Sequence, residues 1–315
     1  MQDPSVSLAI PVFNEAEVLP ELLRRATEVL DGIAGGPHEM VFVDDGSSDR
    51  TLSILESAAK ADSRIVLVAL SRNFGHQAAL GAALDYVRGD VIIVMDADLQ
   101  DPPETIPLML AEFHNGHDVV YAIRAERKER LWLRICYAGF YKVISKLSDL
   151  ALPEGAGDFA LLSRRMVDLI RQSPERHRYL RGLRTWYGFS QKGIIVQRSA
   201  RHSGTSKYNL RRLFGLAFDG IFAFSIIPIR FATVAGLFVV TCSMAFAAYS
   251  VYAKIAYAET DSRSPTGFTA LLFAVIFLGG MQLLFLGVAG EYIGRIYNEV
   301  KRRPHYVVSR VIGRE

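Results

Sequence analysis

Only two cysteines occur in the 315 residues. Cys136 and Cys242 lie far apart, the second inside a long apolar run, so neither a disulfide framework nor a zinc spacing is available. Histidine is sparse too, with seven in the chain. His114 and His117 are spaced for one helix face, but they lack a third ligand, and solvated surface is the expected place for them. No histidine is assigned a function. The opening Met1-Gln2-Asp3-Pro4 has no basic region and leads directly into a short apolar segment, so no signal peptide is expected there. Charge is missing from residues 231–253 and again from 268–290. Each run is long enough to cross a hydrocarbon core of roughly 30 Å.

Those runs, in a chain that is 50% hydrophobic with a mean hydropathy of +0.18, imply one full domain and a membrane module. Buried helices of a large soluble core are the bland alternative, which the uncharged length disfavours. The stretch between the runs carries Lys254, Glu259, Asp261 and Arg263, which cancel. The outer flanks carry Arg230 before the first run and Arg295, Lys301, Arg302 and Arg303 after the second. The positive-inside rule therefore puts the soluble domain and both termini in the cytoplasm of an inner (plasma) membrane protein.

The soluble part offers a repeated pattern. Val6-Ser7-Leu8-Ala9-Ile10 reads as a strand, and Pro11-Val12-Phe13-Asn14-Glu15 turns from it into an amphipathic helix. Met40-Val41-Phe42-Val43 reads as a second strand, ending in Asp44-Asp45-Gly46-Ser47-Ser48-Asp49, a cluster of turn formers and helix caps before Thr51. A third apolar run, 91–95, ends in Asp96-Ala97-Asp98-Leu99. Two carboxylates at i and i+2 where a buried strand emerges can share one hard divalent cation whose open positions take phosphate oxygens. Paired Asp after a strand is also a common loop or cap device. Polar and acidic groups at the carboxyl ends of three strands favour a ligand site in an open α/β sheet.

Together Pro11-Val12-Phe13-Asn14-Glu15, Val43-Asp44-Asp45-Gly46-Ser47, Ser71-Arg72-Asn73-Phe74-Gly75 and Met95-Asp96-Ala97-Asp98-Leu99-Gln100-Asp101-Pro102-Pro103 resemble the motif series of family 2 glycosyltransferases with a GT-A fold. Within it they are similar to the membrane-bound polyprenyl-phosphate glycosyltransferases, including dolichyl-phosphate mannose synthases and bacterial glucosyltransferases. The resemblance implies an α/β, Rossmann-like nucleotide-sugar domain and inverting transfer to a polyprenyl phosphate. It places Pro11, Phe13, Glu15, Val43 and Asp45 around the nucleoside, with Asp44, Arg72 and Ala97 beside them. Asp96 and Asp98 would hold Mg2+ or Mn2+. Arg124, Arg201 and Lys207 would supply further positive charge to the nucleotide. Asp158, in Gly155-Ala156-Gly157-Asp158-Phe159-Ala160, falls at the position of acceptor chemistry; its alternative is a cap on a helix beginning near Leu161-Leu162-Ser163. Many bacterial relatives have Arg where this chain has Ala160, a loss that Arg164 or Arg165 could offset.

Two segments join the sheet pattern to the apolar runs. Residues 124–146 and 209–225 read as basic amphipathic helices that can lie in the headgroup plane; core-facing helices with a solvated basic face are the alternative. Between them, Arg198, Arg201, His202, Lys207, Arg211 and Arg212 form an acid-free run interrupted by Gly204-Thr205-Ser206 and followed by Tyr208. Arg offers a fork and Lys a point charge to phosphate, although such runs also attract anionic headgroups. The family pattern matches Arg201 and Gly204-Thr205-Ser206-Lys207, which implies that Arg198, Arg201, Ser206, Lys207 and Tyr208 face the acceptor phosphate. Gly279, Gly280, Gly287, Gly290 and Gly294 permit close helix packing, within a hairpin or in a homo-oligomer.

The expected layout is therefore a catalytic domain at 1–208, an interfacial helix at 209–225, a transmembrane hairpin at 226–294 and a basic cytoplasmic tail at 295–315. The expected reaction moves glucose from UDP-glucose to undecaprenyl phosphate, making a lipid-linked donor for envelope glycan or lipopolysaccharide. GDP-mannose, UDP-N-acetylhexosamine and UDP-aminoarabinose are alternative donors, and a non-catalytic sugar-nucleotide-binding scaffold is the alternative from another class. A processive polysaccharide synthase would carry more spans and a Gln-x-x-Arg-Trp signature. No nucleic-acid partner is expected.

Overall fold

A computed structural model describes residues 3–124, 156–173, 180–196, 227–256 and 267–314. The side chain of Arg124, the expected interfacial helices (125–146 and 209–225) and the basic loop with Arg198, Arg201, Ser206, Lys207 and Tyr208 lie outside the described residues. The chain divides into two compact units, one built on a sheet and one on two long helices.

In the first unit the elements run β1 (Val6–Val12), α1 (Leu19–Asp31), β2 (Glu39–Asp44), α2 (Thr51–Ala61), β3 (Ile65–Leu70), α3 (His76–Tyr86) and β4 (Val91–Val94). They continue with α4 (Ile106–His114), β5 (Val119–Arg124), β6 (Ala156–Ser163), α5 (Arg164–Gln172), α6 (Leu180–Trp186) and β7 (Gln191–Val196). With β8 (Val308–Ile312), the sheet has eight strands among the described residues, in the order β7-β5-β6-β4-β1-β2-β3-β8. Strands β3, β2, β1 and β4 are mutually parallel, while β6 runs antiparallel to both β4 and β5. Three strands step outward from β1 to β3, and α3 carries the chain back to β4 on the other side of β1. Chain order reverses at the β1/β4 boundary, the place where open α/β sheets bind ligands at strand carboxyl ends.

Residue parity decides what each strand shows to each face, since successive side chains alternate. Leu8, Ile10, Met40, Phe42, Leu67, Ile93 and Leu161 pack in one core with Leu22, Leu55 and Met109 of α1, α2 and α4. Ala9, Val41, Val43, Val68, Ile92, Val94 and Leu162 pack in the other with Leu80 of α3, Met166 of α5 and Leu183 of α6. Both faces are covered, which explains the near-continuous apolar strands. Residues 79–84 of α3 are all buried, as expected of a helix packed on more than one side.

Residues 295–315, expected as a tail, do not form one. The second long helix continues to Val300, and Val308–Ile312 forms β8, pairing antiparallel with β3 at the sheet edge. Tyr306 Oη donates to Asp85 at 2.8 Å and Ser71 N–H to Val307 O at 2.9 Å. Arg314 pairs with Glu39, and Arg310 with Glu56. These contacts cover an edge that would otherwise expose unpaired backbone groups.

The second unit contains α7 (Ile227–Ala256) and α8 (Gly267–Val300). Each contains a segment apolar and long enough to cross a membrane, Ile229–Phe246 and Ala274–Tyr297, with no buried share. Large apolar side chains such as Phe231, Leu237, Phe238, Leu271, Leu283 and Leu286 are exposed along both, which is compatible with membrane association. Gly236 packs toward Phe285, whose Cε2 lies 3.4 Å from an added Cβ, whereas Gly279, Gly280, Gly287, Gly290 and Gly294 meet nothing within 4 Å among the described residues. Among the described residues, the α8 glycines make no close contact with α7.

Candidate active site

The floor of the site is three loops stitched together at the carboxyl ends of β1, β2 and β3. Pro11 pairs with Val43 on the β2 side. Ala9 O accepts from Met95 N–H on the β4 side at 3.2 Å, so Pro11, two residues on, faces β4 without an N–H to give. The ladder stops there and a gap opens between β1 and β4. Phe13, beyond the gap, is 45% exposed.

Asn14 adopts φ 54°, a left-handed conformation that Asn tolerates better than most residues. Its N–H donates to Ser47 Oγ at 2.9 Å, and its Oδ1 accepts from Ser48 N–H at 2.8 Å. Glu15 N–H donates to Thr51 Oγ1 at 2.9 Å. Gly46, at φ 72°, leaves no space for a side chain, because an added Cβ would stand 2.6 Å from the Arg72 carbonyl carbon and 2.7 Å from Asn73 N.

Asp44 and Asp45 are both buried and act on these loops. Asp44 accepts from Ser47 N–H, each oxygen at 3.3 Å. Asp45 accepts from Phe74 N–H at 2.7 Å and Gly75 N–H at 2.9 Å, which fixes the start of α3. Burial pushes both carboxyls up from the ordinary range, against these hydrogen bonds. Arg72 is exposed and stacks over Phe74 at 4.1 Å.

The acidic group of the site lies at the ends of β4 and β6. Parity carries Asp96 to the side of Ile92 and Val94, and Asp158 to the side of Leu162, so both emerge on the face covered by α3 and α6. Val94 pairs with Ala160; the same register carried two residues further sets Asp96 opposite Asp158. Asp158 therefore belongs to a strand, and the cap alternative fails because the next helix begins at Arg164. Ala97 and Leu99 point the other way into the core. Leu99 holds φ 55°, an uncommon conformation for a bulky residue and of a kind found at functional loops. Gln100 N–H donates to Asp98 Oδ1 at 3.1 Å.

Burial raises the Asp96 carboxyl; His76 opposes the shift, and the charges of Asp158, Asp98 and Asp101 add to it. Such crowding of carboxylates is relieved by a cation. No three His, Cys, Asp or Glu among the described residues form a ready cage. An all-oxygen site with few protein ligands suits Mg2+ or Mn2+, the former typically bound by one or two carboxylates plus substrate phosphates. Asp96 and Asp98 fit that donor set.

Asp158 is held differently. Arg181 Nε and Nη2 each donate to one of its oxygens at 2.6 Å. Burial alone would raise its carboxyl, but the Arg181 hydrogen bonds and charge, with His76 and Arg184, bring it below the ordinary range. Arg184 is buried, donates to Gly157 O at 3.2 Å and stacks over Tyr121 at 4.8 Å. The suggested replacements for the charge missing at Ala160 lie elsewhere, for Arg164 donates to Gly89 O at 2.9 Å and Arg165 pairs with Asp118. Among the described residues, Arg181 and Arg184 are the guanidinium groups that act on Asp158, and sequence reasoning missed both.

It also missed His76, whose Nε2 lies 3.6 Å from Asp96 Oδ1. His114 and His117 do lie apart from this site: His117 Nδ1 is 2.8 Å from Ser190 Oγ, and His114 packs edge-on to Phe113.

Against known proteins, the family model for glycosyl transferase family 2 matches residues 7–170. An uncharacterized glycosyltransferase of Synechocystis is 40% identical over 311 residues, covering 98% of this chain and 96% of that protein. The bactoprenol glucosyl transferase of Shigella phage SfII is 39% identical over 306 residues, 97% of each chain. Among solved structures, a mannosyltransferase of Pyrobaculum calidifontis in complex with GDP-Man and Mn2+ is similar at a TM-score of 0.48 and 17% identity, over 93% of this chain and 88% of that one.

Proposed function

The chain belongs to glycosyltransferase family 2, and from that premise we propose that it transfers glucose from UDP-glucose to a polyprenyl phosphate at the cytoplasmic face of a membrane. The observation that carries this reading is the convergence of Asp96, Asp98 and Asp158 at the β1/β4 switch point in a chain 39% identical, over 97% of its length, to a bactoprenol glucosyl transferase.

The donor's nucleoside would lie on the stitched floor, over the gap left at Pro11, with Phe13 offering an apolar face. Asp96 and Asp98 would hold a divalent cation, which when bound neutralises charge developing on the leaving nucleoside diphosphate. An acceptor phosphate oxygen forms the new bond to the anomeric carbon while the bond from that carbon to the diphosphate breaks, with inversion. A phosphate monoester has its second pKa near about 6, so the acceptor is largely dianionic and needs little deprotonation. Asp158 would accordingly orient the acceptor or help hold the cation. Its Arg181 clamp supports that role, since a carboxylate held below its ordinary range is a weak proton acceptor. Arg124, Arg198, Arg201, Ser206, Lys207 and Tyr208 remain proposed contacts to the two phosphates.

The pairing of β8 with β3 supports the topology. The chain segments before α7 and after α8 contribute to one sheet, so an even number of crossings must separate them. Two spans with Arg230, Arg295, Lys301, Arg302 and Arg303 at their outer ends support a reading in which that sheet and both termini are cytoplasmic. The α8 glycines would permit close packing with a second copy, and a homo-oligomer is part of the proposal.

The test is transfer from a panel of radiolabelled nucleotide sugars to undecaprenyl phosphate by purified protein in detergent, with and without EDTA. Labelling of lipid from UDP-glucose that EDTA abolishes is the expected result. Labelling from another donor alone would correct the sugar, and nucleotide binding with no labelling from any donor would favour the scaffold reading.

A further inference from the structure

His76 is the first residue of α3 and stands where the acids of the site meet. Its Nε2 is 3.6 Å from Asp96 Oδ1, and the ring lies within electrostatic reach of the carboxyls of Asp45, Asp96 and Asp158. That position is built by the fold. Asp45 takes the N–H groups of both Phe74 and Gly75, and Gly75 at φ 97° turns the chain into the helix. The helix crosses over β2 and β1 on the face where parity delivers Asp96 and Asp158. The next residue, Gln77, carries a buried Oε1 that has no donor among the described residues.

An imidazole placed only to balance these acids would pack against them and lose its exposure. His76 instead keeps 45% of its side chain exposed, and Asp96 beside it keeps 34%. Each neutral tautomer carries one N–H, and the exposed ring stands beside Asp96, within reach of a group bound there. Resting on the donor reading above, we infer that His76 is a further donor-site residue, a hydrogen-bond donor to a diphosphate oxygen of the nucleotide sugar beside Asp96. The diphosphate fits the chemistry: it is anionic, and it is the part of the donor that the Asp96 carboxylate would share a cation with. Its oxygens are acceptors for an imidazole N–H.

The experiment uses full-length protein in detergent, with UDP and Mn2+ as probe in titration calorimetry and UDP-glucose kinetics alongside. The variants are His76→Ala, His76→Gln and Asp96→Asn. A lost hydrogen bond to a charged phosphate predicts roughly ten-fold weaker UDP binding and a similar rise in donor KM for His76→Ala. The effect on UMP should be smaller, with acceptor KM unchanged. His76→Gln, which keeps an N–H donor, should recover most of the affinity. Thermal unfolding should be the same for all three chains carrying residue 76 as His, Ala or Gln. If His76→Ala binds UDP as the parent does while Asp96→Asn does not, the inference fails and the donor reading stands. If the parent binds neither UDP nor GDP with Mn2+, the donor reading fails and takes the inference with it.

Discussion

Removing the guanidinium that clamps Asp158 tests the electrostatic design of the site. Arg181 and Asp158 make two hydrogen bonds of 2.6 Å, with their side chains 28% and 15% exposed. Deleting one partner of a fully buried pair costs about 3–5 kcal/mol. Residual solvent around this pair brings the expected cost of Arg181→Ala to about 2–3 kcal/mol. For a domain of this size each kcal/mol moves Tm by about 2–4 °C, so a fall of about 5–10 °C is expected. The pH dependence has a definite sign. With Arg181 present the Asp158 carboxyl lies below its ordinary value, and its contribution to stability is fully present above the unfolded carboxylate range, to be lost only as pH falls through the lower folded value. Without Arg181, burial and the neighbouring Asp96 still raise the carboxyl, opposed by His76 and Arg184. The ionised form then carries the penalty, which shrinks as the pH falls through the raised value. The deficit of Arg181→Ala against the parent should therefore be large near pH 8 and smaller near pH 5. Thermal unfolding of the full chain in detergent, followed by intrinsic fluorescence, measures it. Asp158→Asn/Arg181→Ala should recover part of the loss, because the buried carboxylate that Arg181 neutralises is removed as well. An equal deficit at both pH values, undiminished in the double variant, would refute the reasoning.

Asp96→Asn should abolish transfer to polyprenyl phosphate while leaving Tm near the parent value, and Asp158→Asn should retain more activity than Asp96→Asn in the same lipid-labelling assay; equal loss with substrate binding intact would restore a proton-abstracting role for Asp158. Gly46→Ala forces a Cβ to 2.6 Å from the Arg72 carbonyl carbon at φ 72°, and overpacking together with the left-handed backbone should destabilise by about 2–4 kcal/mol and raise donor KM, read by Tm and initial rates. Truncation after Lys301 uncovers the β3 edge and removes the Val307 acceptor for Ser71 N–H; aggregation on size exclusion and weakened UDP binding are the expected results.

What could be read from the chain and what could not divides along a physical line. The ends of β1, β2 and β4 were legible because buried parallel strands are short apolar runs and their exits need turn formers, as at Asp44-Asp45-Gly46 and Asp96-Ala97-Asp98. The two long helices were legible because their apolar runs go so long without a charge. The strand carrying Asp158 was obscured by the same burial that defines it: Phe159-Ala160-Leu161-Leu162 is apolar on both faces, has no period of two, and is too short to distinguish strand from helix by pattern. The last strand, Val308–Ile312, hid for the opposite reason. It is a half-exposed edge whose partner Ala69 is 240 residues away from Ser309, and nothing local in Arg302-Arg303 or Arg310 announces pairing. His76 was overlooked because a search for ligand spacing follows the chain, whereas its partner Asp96 is reached by a helix crossing the sheet. Its signal was nonetheless present in the order of residues. A glycine ahead of a helix that starts at a strand's carboxyl end, with an acidic residue free on the neighbouring strand to take the glycine's N–H, fixes the direction of the helix's first side chain. In this chain those conditions are met by Gly75, Asp45 and His76, so the first residue of a crossover helix at a switch point should be weighed as a ligand contact before it is assigned to solvated surface.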